Sequence, residues 1–116
     1  MSPMKITTRD APAGPVLSIV GDLDYATAGR LRDLLTALTL RPGQLLVLDL
    51  ADMEFCDSSG ITALIVARNH ARAARADVAL AAVPDHTLRV LRMVGLDQVF
   101  GLLPDSDAAS RHRPVR

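Results

Sequence analysis

An uninterrupted apolar run, Leu45-Leu46-Val47-Leu48-Asp49-Leu50, is followed after a short connection by a segment with helical spacing from Ile61 to Arg75. A run of this kind, without polar alternation, reads as a strand buried on both faces. The stretch between them, Phe55-Cys56-Asp57-Ser58-Ser59-Gly60-Ile61-Thr62, reads as a helix start that presents a serine. Asp57 and Ser58 are both good N-cap residues. The free backbone N–H groups there, with the positive end of the helix dipole, suit an anion such as a phosphate.

The rest of the chain supplies the partners of that strand and helix. Met4–Asp10 is a short strand candidate, Ala11–Pro15 carries turn residues and Val16–Val20 reads as a second strand, which together make a hairpin. Gly21-Asp22-Leu23-Asp24 is expected to end that strand as a loop. Asp24 is placed to cap a helix whose apolar face is Leu31, Leu34, Leu35 and Leu38, and Arg41-Pro42-Gly43 stops it. Ala51–Asp57 is expected to be a plain connection into the second helix, whose inner stripe is Ala63, Leu64, Ala67, Ala71 and Ala74. Asp77–Val83 is a third buried strand, followed by a short helix from Asp85 with Leu88, Val90, Leu91 and Val94 as apolar positions. Gly95 is a good residue to follow its end, and Val99–Leu103 is a brief edge strand. This order predicts an α/β fold with a mixed, centrally parallel sheet of about five strands and helices packed on it. The domain is expected to span residues 1–104, with 105–116 a mobile polar tail. Parallel neighbours ending at Val20 and Leu50 place Asp22, Asp24, Asp57 and Ser58 on one rim.

Composition removes several function classes. Thirteen basic residues balance thirteen acidic ones, and the aromatic set is Tyr25, Phe55 and Phe100. Neither a basic field nor a base-stacking platform is present, so direct nucleic-acid binding is not expected. No run approaches the roughly 20 apolar residues of a membrane span, and no signal-peptide pattern opens the chain, so a cytoplasmic protein without a membrane partner is expected. One cysteine, Cys56, and three scattered histidines, His70, His86 and His112, offer no metal-ligand spacing. No metal or other cofactor is expected.

Enzyme readings of Ser58 fare poorly. There is no G-x-S-x-G elbow, and His70 stands roughly 15 to 18 Å further along the helix. Lys5 is the only lysine, no phosphate-cradling Gly-rich loop with Lys follows a strand, and the aspartates are explained by turns and caps. A non-enzymatic role remains, either as a simple helix cap or as a phosphorylated switch. Phosphate on Ser58 adds about −1.5 to −2 charges, tolerable at a helix N-terminus yet costly in a desolvated interface already ringed by aspartates.

Leu48-Asp49-Leu50 followed by Phe55-Cys56-Asp57-Ser58-Ser59-Gly60 resembles the signature of the STAS domain of bacterial anti-sigma factor antagonists. Gly21-Asp22-Leu23-Asp24 resembles their Gly-Glu/Asp-Leu-Asp loop. The resemblance runs from about Met4 to Leu103. It implies a protein whose unphosphorylated form binds an anti-sigma factor that is also a serine kinase, thereby freeing a sigma factor. Phosphorylation on Ser58, with Ser59 as a secondary position, then ends the interaction, and a metal-dependent serine phosphatase resets it. Asp22, Asp24, Asp57, Ser58, Ser59 and Gly60 are the implied docking rim. The alternative is a STAS scaffolding module of a stress-sensing assembly with no phosphorylation cycle. Two departures from the commonest form, Cys56 and Ile61-Thr62, leave the acceptor untouched. Cys56 reads as a small buried apolar residue rather than a redox sensor.

Overall fold

The computed structural model describes residues 3–111, with side chains through residue 109. In chain order the elements are β1 (Lys5–Ala11), β2 (Gly14–Leu23), α1 (Ala28–Ala37), β3 (Leu45–Asp49), β4 (Met53–Cys56), α2 (Ser58–Ala73), β5 (Asp77–Ala81), α3 (Asp85–Met93), a one-turn 3-10 helix (Leu96–Gln98), β6 (Gly101–Leu103) and α4 (Ala108–Arg111). The main sheet runs β1-β2-β3-β5-β6, and β4 joins it by pairing with β2. Only the β1–β2 hairpin is antiparallel; β3 is parallel to β2 and β5, and β6 is parallel to β5. The expected mixed, centrally parallel sheet is present, with six strands rather than about five.

The sixth strand comes from the segment expected to be a plain connection. β2 is ten residues long. Its first half pairs with β3, from Val16 opposite Val47 to Ser18 opposite Asp49. Its second half pairs instead with β4, Asp22 opposite Phe55 and Leu23 opposite Cys56. Gly21-Asp22-Leu23 is therefore strand, not the loop expected. The switch of partner falls at a register shift between Gly21 and Asp22, where Gly21 takes φ +90°, a conformation glycine adopts at little steric cost.

One face of the sheet carries the main core. Leu17, Ile19, Leu46, Leu48 and Leu80 project from the strands against Leu31 and Leu35 of α1 and Ala63, Leu64, Ala67 and Ala71 of α2, all fully or almost fully buried. The three alanines on that α2 stripe let its backbone approach the strands closely, as the sequence pattern implied. Ala74 is only partly buried, because α2 ends at Ala73 and Arg75 turns left-handed at φ +60°. His70 Nε2 lies 2.8 Å from the carbonyl of Leu38, which ties the far end of α2 to the end of α1.

The other face is thinly covered. Val16, Val47 and Ala81 form a small buried cluster there, against Ala11, Leu45, Leu103 and Ala109. Residues 105–109, assigned to the tail by sequence reading, take part in this cover: Ala108 is fully buried, and Arg9 donates to Ser106 Oγ at 3.0 Å. Residues 112–116 of that tail lie outside the described residues.

Three smaller expectations are corrected. β5 stops at Ala81 rather than Val83, since Ala82 takes φ +53°. The edge strand begins at Gly101, preceded by the 3-10 turn. In α3, Leu91 is buried but Val90 and Val94 are exposed, and the inward place is taken by Thr87 at 2% exposure. Gly95 follows α3 with φ +80° as expected, and Leu96 folds back onto the core.

Candidate functional site

The candidate site forms where β4 ends, α2 begins and the turn after β2 enters α1. Asp57 is the N-cap of α2, and its Oδ1 accepts from Ser59 N at 2.9 Å and Gly60 N at 3.2 Å. Its other oxygen, Oδ2, accepts from Tyr25 N at 3.2 Å. One carboxylate thus caps the helix and holds the neighbouring turn. The backbone adds a second tie, with Asp57 N donating to the carbonyl of Leu23 at 3.3 Å. This is how the two sequence motifs, far apart in the chain, come together.

Asp24 works differently from the simple cap expected. Thr27 is the N-cap of α1. Asp24 organises the turn before it, its Oδ1 accepting from Ala26 N at 3.0 Å and Thr27 N at 3.2 Å, while Thr27 Oγ1 accepts from Asp24 N at 2.9 Å and donates to the carbonyl of Asp22 at 2.8 Å. Asp22 itself is 8% exposed. The three aspartates are therefore neighbours in the fold, but Asp22 presents little surface and Asp24 spends its carboxylate on its own turn.

Ser58 occupies the first turn of α2 and is exposed, Ser59 is half-buried and Gly60 is buried. The helix needs nothing from the Ser58 side chain, because Asp57 already serves the N–H groups of Ser59 and Gly60. Gly60 has a packing reason for lacking a side chain: a Cβ there would stand 2.6 Å from Cys56 Sγ and 2.7 Å from the carbonyl of Leu23. The glycine lets the first turn of α2 rest directly on the β2–β4 pair.

Cys56 is half-buried beneath this turn, and burial, followed by the negative charge of Asp57, pushes its thiol up to about 12. A thiol held neutral in this way is a poor nucleophile, in keeping with its reading as a small apolar residue. Among the described residues no group of three or more His, Cys, Asp and Glu side chains could hold a metal ion. No helix among them is long and apolar enough to cross a membrane.

Sequence reasoning missed two features of this surface. Tyr25, whose N–H bonds Asp57, is 87% exposed and Phe55 on β4 is 49% exposed, so two of the chain's three aromatic residues stand in solvent. An exposed aromatic on a protein surface has the makings of a binding anchor. The second feature is an open groove of about 350 Å³ between α1 and α2, lined by Tyr25, Ala26, Gly29, Arg32, Ser59 and Thr62. Scarcity of aromatics was a signal in the sequence, but their exposure was not.

A six-stranded mixed sheet with the start of α2 set against the β2–β4 pair defines a small α/β domain, and comparisons with known proteins say which family it belongs to. The family model described as "Mlab, STAS domain" matches residues 6–104. The chain belongs to the STAS domain family. It is 24% identical over 82 residues to the anti-sigma-B factor antagonist of Listeria monocytogenes, covering 71% of this chain and 72% of that protein. Its fold is similar to the crystal structure of an anti-sigma factor antagonist from Mycobacterium paratuberculosis, with TM-score 0.81, 27% identity, and coverage of 94% and 92% of the two chains. It also matches the Bacillus cell fate determinant SpoIIAA in its phosphorylated form, with TM-score 0.71 at 16% identity, over 94% of this chain and all of that one.

Proposed function

We propose that this chain is an anti-sigma factor antagonist in which Ser58 is the phosphoacceptor. The unphosphorylated protein binds an anti-sigma factor that is also a serine kinase, and so releases a sigma factor. Phosphate on Ser58 ends that binding, and a metal-dependent serine phosphatase restores it. The protein acts in the cytoplasm, by binding rather than by catalysis. One observation carries the reading: Ser58 is exposed on the first turn of α2, while Asp57 meets the backbone needs of that turn. A phosphate there leaves the cap intact, and the helix N-terminus favours it by about 0.3–1 kcal/mol.

The same phosphate is costly to a docked partner. It adds about −1.5 to −2 charges beside Asp57 and Asp24, and each 1.4 kcal/mol of repulsion is about tenfold in affinity. The similarity to antagonists named for this role, one of them phosphorylated, supports the proposal.

The test mixes wild type and Ser58→Ala with candidate kinase/anti-sigma partners and ATP, and reads intact mass and binding. Wild type is expected to gain one phosphate and lose its partner, while Ser58→Ala binds without release. A partner that binds wild type but never phosphorylates it would favour the scaffolding alternative. Ser58→Asp is expected to melt close to wild type yet bind more weakly; an unfolded Ser58→Asp would count against the helix-start geometry.

A further inference from the structure

Resting on that switch, we propose that the groove between α1 and α2 is an internal phosphate-binding site, in which Arg32 holds a phosphate carried by Ser59. Ser59 is then a second modification position, with a consequence different from that of Ser58. The two serines are adjacent in sequence but not equivalent in space. Ser59 lines the groove and is half-buried, whereas Ser58 is exposed and lies outside its lining.

The groove has the charge and room that the proposal needs. Arg32 is the only cation in its lining, and no carboxylate lines it. Among the described residues the Arg32 side chain has no hydrogen bond or ion pair, and its Nη2 lies 3.6 Å from where a Cβ on Gly29 would stand. The missing side chain at Gly29 leaves the guanidinium space to lie across α1. Ser59 and Thr62 face it from α2. Two carboxylates bond to backbone of the groove's lining residues, and both are occupied there: Asp57 with the N–H groups of Tyr25, Ser59 and Gly60, and Asp24 with those of Ala26 and Thr27. A guanidinium opposite a phosphate forms paired, charge-assisted hydrogen bonds.

Modification of Ser59 by a nucleoside triphosphate forms a bond from Oγ to the γ-phosphorus, breaks the bond to the bridging oxygen, and releases the diphosphate and the hydroxyl proton. The phosphate then falls to Arg32 and fills the groove beside Tyr25. Phosphate on Ser58 stays in solvent and acts by its charge; phosphate on Ser59 is partly neutralised and acts by closing the groove.

The test installs phosphoserine by genetic encoding at position 58 or 59, in wild-type, Arg32→Gln and Arg32→Lys backgrounds, and follows the second phosphate ionisation by 31P NMR. Phosphoserine at 58 shares the helix end and the Asp57 charge, so the comparison isolates Arg32. The phosphate at 59 is expected to ionise about one pH unit below that at 58, an opposite charge favouring the dianion. Arg32→Gln should abolish the difference and Arg32→Lys should keep part of it. Equal titrations, a difference that survives Arg32→Gln, or a phosphoserine-59 protein that fails to fold by circular dichroism each overturn the proposal. None of these outcomes bears on phosphate transfer to Ser58, which the kinase experiment tests separately.

Discussion

Asp57 is the residue on which the site turns, because one carboxylate serves three backbone N–H groups, two in α2 and one in the turn before α1. Asp57→Ala removes the cap of α2 and the tie to Tyr25 together. It is expected to cost about 1–2 kcal/mol, a fall of several degrees in Tm that thermal melts followed by circular dichroism will show. Asp57→Asn should cost less, since the amide oxygen still accepts. Cys56 makes a pH prediction. Its thiol keeps its proton to about 12 in the folded state against an ordinary value of 9.0. Between those values the folded chain binds more protons, so this contribution is complete below about pH 9 and is lost as pH rises. Denaturant titrations are expected to show stability falling above about pH 9, with a shallower fall in Cys56→Ala. At this scale the sequence was informative about Asp57 as a cap and Cys56 as an apolar residue, because both roles depend on near neighbours. It was silent on Tyr25 and Arg32, whose exposure depends on how two helices lean together.

The elements that form the site are β2, β4 and the first turn of α2, and their contact is set by Gly60. A Cβ at 2.6 Å from Cys56 Sγ and 2.7 Å from the Leu23 carbonyl meets one backbone atom that cannot move aside without bending β2. Gly60→Ala is expected to destabilise by about 1–3 kcal/mol, despite alanine's better helix propensity, as read by the midpoint of chemical denaturation. A gain in stability would mean that α2 can lift from the strands. The long helices and β3 were legible from periodicity and apolar runs. β4 was not: Met53 is buried while Glu54 and Phe55 are both exposed, so no alternation marks it. It exists because β2 is long enough to outrun β3 and offer its second half to another strand. The α3 error has a related cause. Its inward face is set by the tertiary contact, which buries Thr87 and Leu91 and leaves Val90, Met93 and Val94 in solvent.

At the scale of the whole molecule, the sheet has one face covered by α1 and α2 and another with a small cluster, Val16, Val47 and Ala81, packed by Ala11, Leu45, Leu103 and Ala109. Removing residues 105–116 takes away Ala109, which packs on Val16, Val47 and Ala81, together with the buried Ala108. The truncated chain is expected to lose about 1–2 kcal/mol, seen as a lower Tm, and to self-associate in sedimentation or light scattering. An unchanged Tm and monodisperse behaviour would show that the cover is dispensable. The Arg9–Asp107 ion pair is exposed and contributes little to this. The sequence alone determined the α/β class, the order of the main elements and the helix start at Asp57, because each follows from local spacing and chemistry. Tertiary structure alone decided that β2 exchanges β3 for β4, that Asp22 is withdrawn while Tyr25 is displayed, and that Ser59 shares a groove with Arg32. Those facts arise from contacts between segments distant in the chain, where the geometry of packing, not the residue type, selects which side chains meet.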